Sequence, residues 1–190
     1  MTLEDFVPRP DIRERHQILV RAPAQLVYDV ARNFDLGSLP LVRVIFWLRE
    51  KVMGARATPA PRPSGFYDQM KSLGWGVLVE EPGRLLIAGS ACQPWQADVN
   101  FTPIPVEDFA GYAEPDRMKI AWTIEVESLG PDRTRCTTET RAVATDAEAR
   151  ARFFRYWRRI VIGVVAIRWL LLRGVRREAE RRWKQLGAGS

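Results

Sequence analysis

The sequence has little of what metal and disulfide chemistry requires: one histidine and two cysteines in 190 residues. His16, Cys92 and Cys136 stand far apart with no CxxC spacing, so a conventional zinc set of Cys and His is not available. No metal or cofactor is expected. Long apolar runs are scarce too. The longest, IVIGVVAIRWLLL at residues 160–172, holds thirteen residues and contains Arg168, against the ~20 needed to span a bilayer. The first sixteen residues contain no apolar run, so no secretory signal is expected, and a cytoplasmic location with reduced thiols is the simplest expectation. Internal repeats and low-complexity tracts are missing as well.

What is present is ordinary globular material, 46% apolar and 27% charged, which sets aside disordered and collagen-like classes. A chain of this length buries roughly 70% of its unfolded surface and needs no staple. The expected division is an N-terminal arm at 1–13, one domain at 14–186 and a tail at 187–190. Charge is uneven. Residues 146–190 carry twelve basic side chains against four acids, a net of +8 in a chain whose total is +6. The excess is a local basic surface, so no nucleic-acid partner is expected.

Periodicity divides the chain. Pro8 and Pro10 deny the arm regular structure. Ile18 and Val20 alternate with polar neighbours as in a half-buried strand. AQLVYDVARNF and LVRVIFWLREKVMG then show helical spacing, and ATPAPRPSG is a proline-rich loop. Strands are predicted at 14–21, 66–72, 76–81, 84–92, 117–128 and 133–144. In the last hairpin Met118, Ile120, Trp122, Ile124 and Val126 share one face, with Lys119, Thr123, Glu125 and Glu127 on the other. Its second strand shows Cys136, Thr138 and Thr140 on one side and Glu139 and Arg141 on the side expected to meet solvent. A helix is predicted from about 146, capped by Thr145 or Asp146. Its apolar stripe runs Phe153, Trp157, Ile160, Val164, Ile167, Leu171, Val175. Gly163 is the weak point, where a bend or break is expected.

The order strand, two helices, strand meander, long C-terminal helix resembles the START-like (SRPBCC) superfamily. Three stretches are similar to a bacterial branch related to polyketide cyclases and dehydrases: FDLGSLPLVRVIFWLRE, GWGVLVEEPGRLLIAGSACQPW and KIAWTIEVESLGPDRTRCTTETRAVATDAEARARFFRYW. The likeness covers roughly residues 14–180 and contains no catalytic signature. Relatives often break the last helix with Pro-Gly after the YW pair, where this chain reads RRIVIGVVAIRW. The resemblance implies an α+β helix-grip fold, a curved antiparallel sheet wrapped around a long C-terminal helix. It does not fix function, because the superfamily hosts carriers, binders and cyclising enzymes.

On that fold the inner set Met118, Ile120, Trp122 and Ile124, beside the small residues Cys136, Thr138 and Thr140, mixes bulk with gaps as ligand pockets do. A solid core satisfies the same pattern. With Trp157 from the helix, these eight are the candidate ligand-binding residues, and the Trp122 N–H is expected to find Thr138 or Thr140. No catalytic residue is assigned. His16 reads as a surface histidine, and Tyr156 as at most a proton donor. The expected function is binding or transport of a small hydrophobic ligand, lipid-like or polycyclic. Two rivals stand beside it: a polyketide cyclase-like enzyme, which inward-pointing ionisable groups would favour, and an interaction protein using residues 160–184 to contact a membrane surface or a partner.

Overall fold

The computed structural model describes residues 1–35 and 65–187. The helix expected in LVRVIFWLREKVMG and the proline-rich loop lie outside the described residues. The elements are α1 (Leu3–Phe6), β1 (Ile12–Val20), α2 (Ala24–Arg32), α3 (Phe66–Ser72), β2 (Gly76–Glu81), β3 (Leu85–Cys92), α4 (Val106–Phe109), β4 (Met118–Gly130), β5 (Arg133–Ala144) and α5 (Ala147–Gly187). The five strands form one antiparallel sheet in the order β1-β5-β4-β3-β2. The long helix α5 and the short α2 pack on one face, here called inner. This is the α+β helix-grip architecture.

The hairpins form where alternation placed them. Residues 66–72 are the exception: they were expected as a strand and are helix. FYDQMKS has no run of β-branched residues, and Asp68 near its start and Lys71 near its end suit the helix dipole. Pairing of β1 with β5 sets Glu14 opposite Thr140, His16 opposite Thr138 and Ile18 opposite Cys136. Pairing of β4 with β5 sets Trp122 opposite Thr140 and Ile124 opposite Thr138. Side chains of directly opposed residues share a face, so these rows together make the inner surface.

The outer face is covered, not solvated. Leu3, Phe6 and Val7 of the N-terminal segment, with Ile104 and Phe109, pack on Leu78, Leu85, Ile87, Ala91 and Ala121 to form a second core. Phe6 and Phe109 meet edge to face at 5.8 Å. The arm is therefore packed and holds a helical turn ahead of Pro8, despite the two prolines. Under this cover Glu139 and Arg141, expected on the solvent face, are 8% and 6% exposed. Lys119 is also buried, donating to the carbonyls of Phe109 at 3.0 Å and Ala110 at 2.7 Å, and burial pulls its pKa below the ordinary value.

Gly89 shows how closely α4 approaches. A Cβ there would lie 2.6 Å from Phe109 Cζ and 2.7 Å from Leu78 Cδ1. Gly89→Ala is accordingly expected to destabilise the fold by about 1–3 kcal/mol through overpacking, read as a lower urea midpoint.

Helix α5 begins at an Asp146 cap, whose Oδ1 accepts the Ala149 N–H at 2.7 Å. It then runs unbroken through Gly163 to Gly187, about 60 Å at 1.5 Å per residue. The break expected at Gly163 does not occur. One interior glycine costs only about 1 kcal/mol relative to alanine, and packing on both sides of it outweighs that. The outer side of the apolar stretch is open: Ile162 is 83% and Trp169 50% exposed. Beyond it the basic residues are partly paired, Arg176 with Glu180 at 3.1 Å and Arg181 and Arg182 with Glu178 at 2.7 Å. Among the described residues no helix is long and apolar enough to cross a membrane.

Candidate functional site

Among the described residues the inner face carries two separate buried clusters. One gathers Met118, Ala142 and Phe153, with Ile120, Tyr156 and Trp157 half-buried around them; Trp157 stacks on Phe153 at 5.7 Å. The other holds Trp122, Ile124, Val126 and Cys136 of the sheet, Val27 and Val30 of α2, and Leu171, Leu172, Val175 and Ala179 of α5. Helix residues 158–166 belong to neither cluster, and none of residues 158–170 is fully buried. The stripe Phe153–Val175 is thus buried at both ends and relaxed in the middle: Trp157, Ile160, Val164 and Ile167 stay half-buried.

All eight candidate residues lie on this inner side. Trp122 is 4% exposed and packs on Phe66 at 4.9 Å and Trp75 at 6.1 Å between ring centres. Ile124, Cys136 and Met118 are buried. Burial pushes the Cys136 thiol up to about 12, so it behaves as a small hydrophobe rather than a nucleophile. Ile120 and Trp157, both half-buried, border the relaxed middle of α5. The structure brings Ile120, Thr140 and Trp157 toward the gap between clusters, whereas Trp122 and Ile124 belong to the packed one.

Thr138 and Thr140 serve another group than the indole. Arg168 of α5 reaches down to the sheet, donating from Nη1 to Thr138 Oγ1 at 2.7 Å and from Nη2 to Thr140 Oγ1. Among the described residues no carboxylate lies within ion-pair distance of it. The acid whose field it feels is Glu14, yet burial dominates and pulls its pKa down to about 10, which leaves it charged at neutral pH. Beside the two threonines, on the neighbouring strand, sit Glu14 and His16, with His16 Nε2 3.5 Å from Glu14 Oε2. That nitrogen is buried and has no hydrogen-bond partner among the described residues. His16 is therefore an inward residue and not a surface histidine, and five polar side chains from two strands and one helix meet at one end of the gap.

The sequence carries signals for Glu14, His16 and Arg168. Arg168 falls four residues after Val164 and three before Leu171, on the stripe itself, and is the one charge within the apolar run. Glu14 and His16 share the parity of Ile18 and Val20, which assigns them inward. Among the described residues no group of three or more His, Cys, Asp or Glu gathers as a metal site.

No protein-family model matches the chain, and no curated protein matches it. Solved structures do. A hypothetical protein from Helicobacter pylori is similar at 11% identity, covering 94% of each chain with a TM-score of 0.46. A norcoclaurine synthase point mutant from Thalictrum, in complex with a transition-state analogue, has 10% identity over 90% of this chain and 95% of its own, TM-score 0.42. An aromatase/cyclase from a Streptomyces species has 15% identity over 90% and 94%, TM-score 0.33. These likenesses are too distant to bear on substrate or chemistry.

Proposed function

We propose that this protein is a START-like domain that binds, and carries within the cytoplasm, a small hydrophobic ligand between the inner face of its sheet and the middle of α5. The observation behind this reading is the divided inner core. In a domain of this kind the helix stripe and the sheet face would ordinarily merge into one contiguous cluster. Here the inward apolar side chains Trp157, Ile160, Val164 and Ile167 remain half-buried, and a ligand along them would complete their burial. Each ~100 Å² of apolar surface so covered is worth about 2.5 kcal/mol before the costs of association. The eight candidate residues supply the contacts, with Ile120, Thr140 and Trp157 nearest the gap.

Titration with N-phenyl-1-naphthylamine, a neutral apolar fluorophore, tests this. The expected result is saturable, blue-shifted emission, weakened about tenfold in Trp157→Ala, since an aromatic wall is worth roughly 1.5 kcal/mol or more. Emission that rises linearly without saturating would refute the reading.

One observation favours a second, catalytic reading. Glu14, His16 and Arg168 are ionisable groups brought together on the inner side of the sheet and the helix over it, as a cyclase-like enzyme would require. In that reading the Glu14–His16 pair would move a proton and Arg168 would stabilise a developing oxyanion. Loss of turnover of a poly-β-ketone in His16→Asn, with probe binding kept, would support it; binding without turnover in the unaltered protein would dismiss it.

A further inference from the structure

The polar end of the gap specifies more than apolar binding. A guanidinium carries five N–H donors in a planar fork and no acceptor. Arg168 engages one hydroxyl from each Nη, at Thr138 and at Thr140, and these are neutral partners. Arg168 is half-buried, and a cation drawn out of water without a close counter-charge is costly. Glu14, the acid whose field reaches Arg168, makes no ion pair with it and has its Oε2 3.5 Å from His16 Nε2. The threonine hydroxyls, having accepted from arginine, keep their own protons to donate. His16 Nε2, buried beside the Glu14 carboxylate and making no hydrogen bond among the described residues, sits on the same inner face next to Thr138. Donors from the helix and from β5 therefore converge on one spot, with the Glu14 carboxylate at its edge on the neighbouring strand.

We infer that the ligand of this site is an amphiphile carrying a carboxylate, which docks on the Arg168 fork between Thr138 and Thr140 while its apolar body extends toward Ile120 and Trp157. This deepens, and rests on, the ligand-binding reading above. The fork geometry favours a planar, two-oxygen anion, which guanidinium binds through two parallel N–H···O bonds. Length fits as well. Trp157 and Arg168 are eleven residues apart on one helix, about 16 Å along its axis, which accommodates a medium-length acyl chain or a few fused rings. The apolar side chains along that span, Ile160 and Val164 among them, are the half-buried ones.

Displacement of bound N-phenyl-1-naphthylamine by dodecanoate and by dodecanol, at equal chain length, tests the inference. In the unaltered protein dodecanoate is expected to displace the probe at a concentration about tenfold lower or more, the factor typical of a charge-assisted pair. In Arg168→Met, which keeps the apolar stem and removes the fork, that preference should fall to within about twofold of unity while dodecanol displacement stays nearly unchanged. Equal displacement by acid and alcohol in the unaltered protein would overturn the carboxylate assignment and leave apolar binding standing, as would a preference that survives in Arg168→Met. Failure of the probe itself to bind would bring down the ligand-binding reading, and the inference with it. If Arg168→Met does not fold, the comparison of acid with alcohol in the unaltered protein decides alone.

Discussion

Replacing Trp122 with alanine is expected to lower the stability of the protein by about 3–5 kcal/mol, the cost of emptying a large aromatic site in a packed core. The indole sits mid-strand on β4, 4% exposed, with Phe66 of α3 at 4.9 Å and Trp75 at 6.1 Å. It is enclosed from below by Ala88 of β3 and Thr140 of β5, its cross-strand neighbours. Neither flank offers a side chain able to swing in and refill the space. Chemical denaturation checks the magnitude. A much smaller loss, accompanied by weakened fluorophore binding, would mark Trp122 as a wall of the ligand site rather than part of the packed cluster beside it.

A loss of similar size, about 3–5 kcal/mol, is expected for Glu139→Ala on the opposite face of the sheet, because it strands a buried arginine. Glu139 Oε1 accepts from Arg141 Nε at 2.7 Å and from Arg13 Nε at 2.8 Å. Arg141 also donates to the Val7 carbonyl at 3.0 Å, which ties the N-terminal segment to the sheet. Burial by itself would raise the carboxyl's pKa; the hydrogen bonds and charges of the two arginines outweigh it and hold the pKa below its ordinary 4.5. A carboxylate depressed in this way contributes stability above its unfolded value and loses it as pH falls through the folded one. The gap between the unaltered protein and Glu139→Ala should therefore be widest near neutral pH and shrink below pH 4.5. A gap constant from pH 7 to pH 3 would show that the pair contributes packing alone.

These two residues also show what the sequence disclosed and what it withheld. Strict alternation with Lys119, Thr123 and Glu125 assigns Trp122 inward, and β4 obeys that alternation because its inner row packs on α2 and on the two buried ends of α5. Glu139 was assigned outward by the same rule and is inward of a different layer. Period-2 patterning tells the two faces apart but not whether a distant segment returns to cover the second one. Leu3, Phe6 and Val7 do return, from over a hundred residues away in sequence, and nothing local in β5 announces them. Residues 66–72 pattern as strand but fold as helix, because a seven-residue stretch is too short to separate the two by period. At Gly163 a local propensity of about 1 kcal/mol is small beside the packing of the helix on both sides, and the helix continues. At the candidate site the apolar half was legible from composition and alternation. The polar half needed register, since only the pairing of β1 with β5 sets Glu14 and His16 beside Thr140 and Thr138, and only the phase of α5 brings Arg168 over them.

The central claim is the location of ligand binding, and isotope-filtered nuclear Overhauser contacts between unlabelled N-phenyl-1-naphthylamine and labelled protein address it most directly. Contacts are expected to the side chains of Ile120, Thr140 and Trp157 and to the inward side chains of α5 between Trp157 and Arg168. Contacts confined to Ile162 and Trp169 on the open side of α5, or to the cleft of about 530 Å³ lined by Leu19, Arg21, Arg133 and Arg176, would contradict it.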